Sequence, residues 1–505
     1  MRRILINSTP QETRIAVTED NSLAEFLVER KQERGYVGNI YKGKVSRVLP
    51  GMQAAFVDIG LEKAAFLHVS DLYIASMEFT APTSTVEDEM LIDQPDLPVN
   101  QPSNKIRIEE ELAPDQTILV QAAKDPLGMK GARITTQISL PGRYLVFMPT
   151  MRRVAVSRKI EDEKERKRLK EIVQPMAGEN GGFIIRTACD GLSKRELLRD
   201  VSFLTKLWQR IKQQIEPAKA PSLIHQDLDL VPRTIRDFFS TETEEVVIDH
   251  PKEHRRVVDF VKQFMPRLRS RVIQYAEPEP ILDHYDIEGK IRKALEPKIW
   301  LKSGGCIVLE QTEALTAVDV NTGRYVGKKN LEETVVKINL EAAQEISRQM
   351  RLRNVGGIII IDFIDMEQSA NRRQVYEALK NAVKRDRAKT NVLQISRLGL
   401  VEMTRQRTRE NLSNVLLSAC PYCAGRGRIK SQPTLAYEIL RGVKKETLHL
   451  DNGSRITVRV HPEVANFLYD EAAENLEELE REIDRKIIIK ASQDFHQERY
   501  EIETA

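Results

Sequence analysis

Residues 303–323 read SGGCIVLEQTEALTAVDVNTG, and residues 356–366 read GGIIIIDFIDM. In a strand, alternate residues share a face. Leu315, Ala317, Asp319 and Asn321 therefore fall on one side of the first segment, and Thr316, Val318 and Val320 on the other. An acid and an amide thus follow small apolar residues at the strand's carboxyl end. Between the segments, residues 331–352 have helical spacing, with Asn330 as N-cap and Glu333 at the third helical position, a capping box. The run Ile358–Ile361 suits a strand buried on both faces, and Asp362 ends it. Strand, helix, strand implies a parallel crossover, and sites in such sheets form at the carboxyl ends of strands. Asp319 and Asp362 are expected to converge although 43 residues separate them.

Two carboxylates and an amide present oxygen donors to one point. That set suits Mg²⁺, which keeps waters and takes its remaining ligands from a phosphate. A metal there polarises a phosphoryl oxygen and lowers the pKa of an attacking water. One aspartate at a strand end commonly just caps a helix or tops a sheet. Two on one sheet edge point instead to a site, all the more because residues 346–409 carry 14 Lys+Arg against 6 Asp+Glu.

The charge of the whole chain is +3, but it is segregated. Residues 461–505 hold 13 acidic and 5 basic residues, and residues 82–104 hold 5 acidic and none basic. Without these two stretches 73 basic residues face 57 acidic ones. A basic, Arg-weighted body suits a phosphate polyanion, although a charge excess alone is equally a solvated surface. With 505 residues, 41% hydrophobic and 30% charged, three or four globular domains are expected, and collagen-like, coiled-coil or wholly disordered chains are excluded. No run of 18 apolar residues is present, so no integral membrane segment is expected. The start, MRRILINSTPQETR, is too short and polar for a secretory signal. Four cysteines make no disulfide scaffold, and a cytoplasmic location is the expectation.

Along the chain, residues 1–34 read as two strands and a helix, SLAEFLVERK. Residues 35 to about 131 read as all-β, interrupted by a proline-rich acidic insertion at 82–104. Residues 137–231 mix strands with charged helices near 161–173 and 193–216, and residues 232–294 and 295–416 read as α/β. His250 and His254 sit four apart, but Pro251 between them and the lack of a third ligand favour a plain helix start. The run ENLEELEREIDRK reads as a solvated helix. Cys420 and Cys423, in CPYCAGRG, have the spacing of a zinc knuckle, with glycines that let backbone N–H groups turn toward sulfur. A redox pair would open a helix after a strand, and here a glycine-rich turn follows. One knuckle supplies two of four ligands, and a second copy of the chain is the simplest source of the others.

These motifs resemble one family. TEALTAVDVN, GGIIIIDFIDM, ISRLGLVEMTRQR and CPYCAGRG, with NIYKGKV and AAFVDIG nearer the start, are similar to those of the ribonuclease E/G family, in the same order and over essentially the whole chain. The length matches a short member without a disordered scaffold tail. The resemblance implies a multidomain α/β and α+β fold. Residues 1–34 with 232–294 would form a ribonuclease-H-like subdomain, 35–136 an OB-fold that binds RNA, and 137–231 a sensor of the RNA 5′ monophosphate. Residues 295–416 would form a deoxyribonuclease-I-like catalytic subdomain, 417–428 the zinc knuckle, and 429–505 a small dimerisation domain.

By the same resemblance Asp319 and Asp362 hold catalytic Mg²⁺, with Asn321 steadying an aspartate or the attacking water. Cys420 and Cys423 hold structural Zn²⁺ shared between protomers of a homodimer; pairing into a homotetramer is left open. Phe56 and Phe66, which spacing alone would place in a core, match aromatics that stack on single-stranded bases, and Lys130 matches a backbone-contacting lysine. Arg186 and Thr187 match the 5′-phosphate pocket, with Gly142 and Val146 as neighbours. Lys389 stands where relatives carry arginine, so it keeps the charge but loses the bidentate fork. The implied activity is magnesium-dependent hydrolysis of A/U-rich single-stranded RNA to 5′-phosphate and 3′-hydroxyl ends, in ribosomal RNA maturation and messenger RNA decay. A non-catalytic, ribosome-associated single-stranded RNA-binding factor is the alternative, and a zinc-dependent redox protein a more distant one.

Overall fold

Arg2–Ser8 carries the buried run Ile4, Leu5, Ile6, and its parallel partner is the distant strand Thr243–Ile248. The two lie in one five-stranded sheet, ordered Val272–Gln274, Thr243–Ile248, Arg2–Ser8, Glu12–Glu19, Ser22–Arg30. The computed structural model describes residues 2–31, 35–72, 107–126, 131–157, 160, 162–178, 181–189, 191–323, 331–384, 386–396, 399–447 and 455–504. The whole acidic insertion 82–104, Lys130 and the expected N-cap Asn330 lie outside them. The chain divides into two compact units, Met1–Val415 and Leu416–Ala505. Among the described residues no helix is long and apolar enough to cross a membrane.

Ser22–Arg30 is a strand, not the helix expected of SLAEFLVERK. Its spacing of Leu23, Ala24, Phe26 and Leu27 fits a helical stripe, but it fits equally a strand covered on both sides. Pairing to Glu12–Glu19 decides for the strand, and the helix Leu331–Leu352 packs on it.

Five strands close a barrel of OB-like shape. Ile40–Leu49 pairs with Ala54–Asp58 at one end and with Thr117–Lys124 at the other, while Ala65–His68 and Arg133–Thr135 complete the circuit. Val45, Val57, Leu67, Val120 and Ile134 fill it. Ser222–His225 pairs with Ile40–Leu49, so this part of the expected sensor segment joins the barrel sheet. A four-stranded sheet, Val154–Val156, Gly182–Ile185, Leu145–Met148 and Leu140–Pro141, carries the helices Glu163–Val173 and Lys194–Ile215.

The sheet expected to hold the site has six strands: Lys298–Trp300, Cys306–Gln311, Leu315–Asn321, Gly357–Asp362, Leu400–Arg405 and Thr390–Val392. Only Leu315–Asn321 and Gly357–Asp362 pair in parallel, with the helix Leu331–Leu352 between them in the chain. That helix and Ser369–Val383 cover one face, where Val318, Val320, Ile359, Ile361, Val401 and Met403 pack against Ile338, Ile346 and Leu379. The other face is open. Ile358 is 52% exposed, and Ile360 is half-buried. The expected burial of Ile358–Ile361 on both faces therefore does not hold. The sheet is mixed, and antiparallel neighbours allow one wet face where an all-parallel sheet would need two covered ones.

The second unit places Ile456–Val460 between Ile487–Ala491, parallel, and Tyr500–Thr504, antiparallel. Helices Gln432–Thr447, Pro462–Asp470 and Ala473–Ile483 cover it. In the last of these Leu476 and Leu479 are buried, so the helix is amphipathic rather than solvated all round.

Candidate active site

The parallel register sets Asp319 directly opposite Asp362 on the open face. Both side chains are exposed. Asn321 Nδ2 donates to Asp319 Oδ2 at 2.7 Å, which fixes that carboxylate's orientation. Burial, then the negative charges of Asp319 and Asp365, push the Asp362 carboxyl above its ordinary value. Among the described residues no cation pairs with Asp319 or Asp362. Like charges held together without a counter-ion, on a rigid sheet edge, are what a hard divalent cation relieves. One or two carboxylates with water and substrate phosphate completing the shell is the ordinary arrangement for Mg²⁺. The donor set fits that ion.

The turn after Asn321 is built around Gly323, at φ +61°, where a Cβ would stand 2.4 Å from the Gly304 carbonyl oxygen. Only glycine fits there, so the chain is bent sharply just past the carboxylate pair.

Phe56 and Phe66 face each other across two paired barrel strands, ring centroids 6.0 Å apart and edge to face. Both are half-buried, while their strand neighbours Val57, Ala65 and Leu67 fill the core. They lie on the barrel's outer side. His68 lies nearly parallel to Phe66, 6.5 Å away, and extends the row. Arg133, beside Phe66 in register, is held by the buried Asp71 at 2.8 Å.

Arg186 and Gly142 come together: the guanidinium donates to the Gly142 carbonyl at 2.7 Å and to Asp237 Oδ1 at 3.2 Å. Thr187 follows in a 3₁₀ turn and is half-buried. Val146 is close by in the chain but packs with Met148, Met151, Ala155 and Ile184. Lys389 is exposed. The arginine beside Arg186 is instead Arg387, whose guanidinium lies 3.9 Å over the Phe238 ring and donates to the Asp237 carbonyl at 2.6 Å. Burial would raise the Asp237 carboxyl, but Arg236, Arg186 and Arg387 hold it well below its ordinary value. No sequence motif marks Asp237 or Arg387. The pair RD at 236–237 carries no motif, and only the fold brings it to Arg186. Arg186, Asp237, Phe238 and Arg387 line a cleft of about 1150 Å³ that does not include the carboxylate pair.

In the second unit Cys420 and Cys423 sit on an open turn, with positive φ at Ala424, Gly425 and Gly427. The Gly427 N–H donates to Cys423 Sγ at 3.3 Å. Backbone N–H groups of Cys423 and Tyr422 lower the Cys420 thiol pKa. Two sulfurs so poised fit half of a tetrahedral zinc site. Among the described residues no cluster of three or more His, Cys, Asp or Glu side chains suits a metal.

The chain also resembles known proteins over almost its whole length. Residues 139–408 fit the profile of the Ribonuclease E/G family, and residues 419–505 that of the RNase E/G, Thioredoxin-like domain. The chain is 45% identical to Ribonuclease G of Haemophilus influenzae, over 99% of this chain and 98% of that protein. The chain belongs to the ribonuclease E/G family. It is also 44% identical to Ribonuclease G of Escherichia coli K12, over 99% of both chains. With Ribonuclease E of Haemophilus influenzae the identity is 37%, over 97% of this chain but 50% of that longer protein. The carboxylate pair lies within the part matched to the family profile, and the cysteine turn within the part matched to its C-terminal domain.

Proposed function

We propose that this ribonuclease E/G family chain is an endoribonuclease that hydrolyses single-stranded, A/U-rich RNA to 5′-phosphate and 3′-hydroxyl ends. The observation that carries the reading is Asp319 opposite Asp362 on an open sheet face, with Asn321 bonded to Asp319. Asp319 and Asp362 would hold Mg²⁺. That ion supplies phosphoryl polarisation and a lowered pKa for the attacking water. Asn321 keeps Asp319 in one rotamer, so the two carboxylates need little reorganisation when substrate arrives. The basic stretch 346–409 attracts the RNA backbone, and the outer aromatic row of Phe56 and Phe66 stacks its bases.

Arg186, with Thr187 and Arg387, binds a 5′ monophosphate and so favours RNA ends that carry one. Lys389 has no guanidinium fork and contributes charge alone. Cys420 and Cys423 pair with the same residues of a second protomer around one Zn²⁺. The biological roles that fit are ribosomal RNA maturation and messenger RNA decay in the cytoplasm.

The deciding experiment is cleavage of a short 5′-monophosphorylated A/U-rich RNA by wild type and Asp319→Asn, with magnesium and with chelator. Cutting that needs magnesium and collapses in the variant, while RNA binding persists, is the expected result. Tight binding without cutting under any divalent metal would make the chain an RNA-binding factor and the carboxylate pair structural.

A further inference from the structure

Trp300 shares the open face of the catalytic sheet with the carboxylates. In register, Trp300 stands opposite Cys306, and Cys306 opposite Asn321. The adjoining row runs Lys298, Val308, Asp319, Asp362. Two strand spacings put Trp300 roughly 10 Å from Asn321 along the sheet. Its neighbour Ile299 packs toward the core, as alternation requires, and Trp300 itself is 53% exposed.

Single exposed apolar side chains are common on protein surfaces and need no explanation of their own. Two contacts set this one apart. Lys298 Nζ lies 4.5 Å from the indole centroid, a cation on an aromatic face. The indole also reaches the turn that ends the Asp319 strand: its Cζ3 is 3.3 Å from where a Gly323 Cβ would stand. An aromatic plane, an ammonium beside it and a phosphate-chemistry site on the same face are the components of single-stranded nucleic acid binding. The base stacks on the ring, and the cation meets the backbone.

We propose that Trp300, together with Lys298, is a stacking platform for a nucleobase of the single-stranded RNA near the scissile phosphate. The inference rests on the nuclease reading above and adds a second base-binding site to the aromatic row of the barrel. Trp300 is a positioning residue: it holds the base, and thereby the phosphate, over Asp319 and Asp362.

The chain has two tryptophans, and the other, Trp208, is 7% exposed within the core of the four-stranded sheet domain. Both indoles emit, so Trp300→Phe, which keeps Trp208 alone, is the baseline, and the difference from it reports on Trp300. The full chain is titrated with a fluorescently labelled oligoadenylate in chelator, with intact RNA verified on a gel. RNA anisotropy and tryptophan emission are read together for wild type, Trp300→Ala and Trp300→Phe. The expected result is quenching of wild-type emission with the same midpoint as the anisotropy. Trp300→Ala should bind roughly five- to a hundredfold more weakly, and Trp300→Phe should recover most of the loss without the quench. RNA binding with unmoved emission and full affinity in Trp300→Ala would overturn the platform and leave the nuclease reading intact. No RNA binding by wild type would instead overturn that reading, and the platform with it.

Discussion

The carboxylate pair and the Arg186 pocket treat charge in opposite ways. Asp319 and Asp362 are two acids left facing each other, exposed, with no cation beside them among the described residues. In the pocket one acid, Asp237, lies among the guanidiniums of Arg236, Arg186 and Arg387, its side chain only 19% exposed. The first arrangement is electrostatically incomplete, and a cation completes it. The second is already complete, so an incoming phosphate has to share or displace a carboxylate. One region is strained until it binds; the other is satisfied before it does.

The largest effect tests the incomplete site. Asp319→Asn should cut RNA cleavage about a thousandfold or more, since metal charge stabilisation is worth several kcal/mol in the transition state. Retained cleavage would break the comparison at its root. The next test is stability in chelator. Asp237→Asn should lower the melting temperature sharply, by the equivalent of about 3 kcal/mol, because it leaves the largely buried Arg236 and Arg186 guanidiniums without their carboxylate. A variant that melts like wild type would show the pocket is not held by that carboxylate.

A smaller effect lies on the barrel. Phe66→Ala should weaken single-stranded RNA binding by about 1–3 kcal/mol, read by anisotropy, with little change in melting. The smallest effect is one of pH, and its sign separates the two regions. The Asp362 carboxyl is raised, so its contribution to stability falls as pH rises from the ordinary carboxylate range through its raised value. The Asp237 carboxyl is depressed, so its contribution is present above the ordinary value and lost as pH falls below it. Melting of Asp362→Asn and Asp237→Asn against pH in chelator should diverge from wild type in opposite directions. Parallel curves would erase the distinction.

Much of this was legible from residue order. The helix at 331–352 falls where its spacing puts it, and Asp319 meets Asp362 because a strand–helix–strand crossover leaves few other places for them. The glycine-rich turn after Cys423 likewise takes the positive φ values that CAGRG suggests. What was not legible depends on what covers an element. SLAEFLVER satisfies a helical period and a two-sided strand alike, and only the neighbouring strand and helix choose. Ile358 and Ile360 are apolar yet face out, because nothing in the local sequence says that one side of the sheet stays open. Phe56 and Phe66 alternate with core residues, so their outward aim depends on which parity the barrel buries. No motif marks Arg387, which reaches the Asp237 carbonyl because of the turn before the strand Thr390–Val392.

The pairing of Arg2–Ser8 with Thr243–Ile248 also has a consequence for biosynthesis. Arg2–Ser8 leaves the ribosome well before its parallel partner, which is made only after the barrel and the four-stranded sheet. At roughly 5–20 residues per second, that wait is on the order of ten to fifty seconds. Throughout it, the Ile4–Ile6 edge has only its hairpin partner Glu12–Glu19 beside it. The barrel and the four-stranded sheet can therefore fold while the sheet that frames them is still half-made, and the frame closes around finished parts.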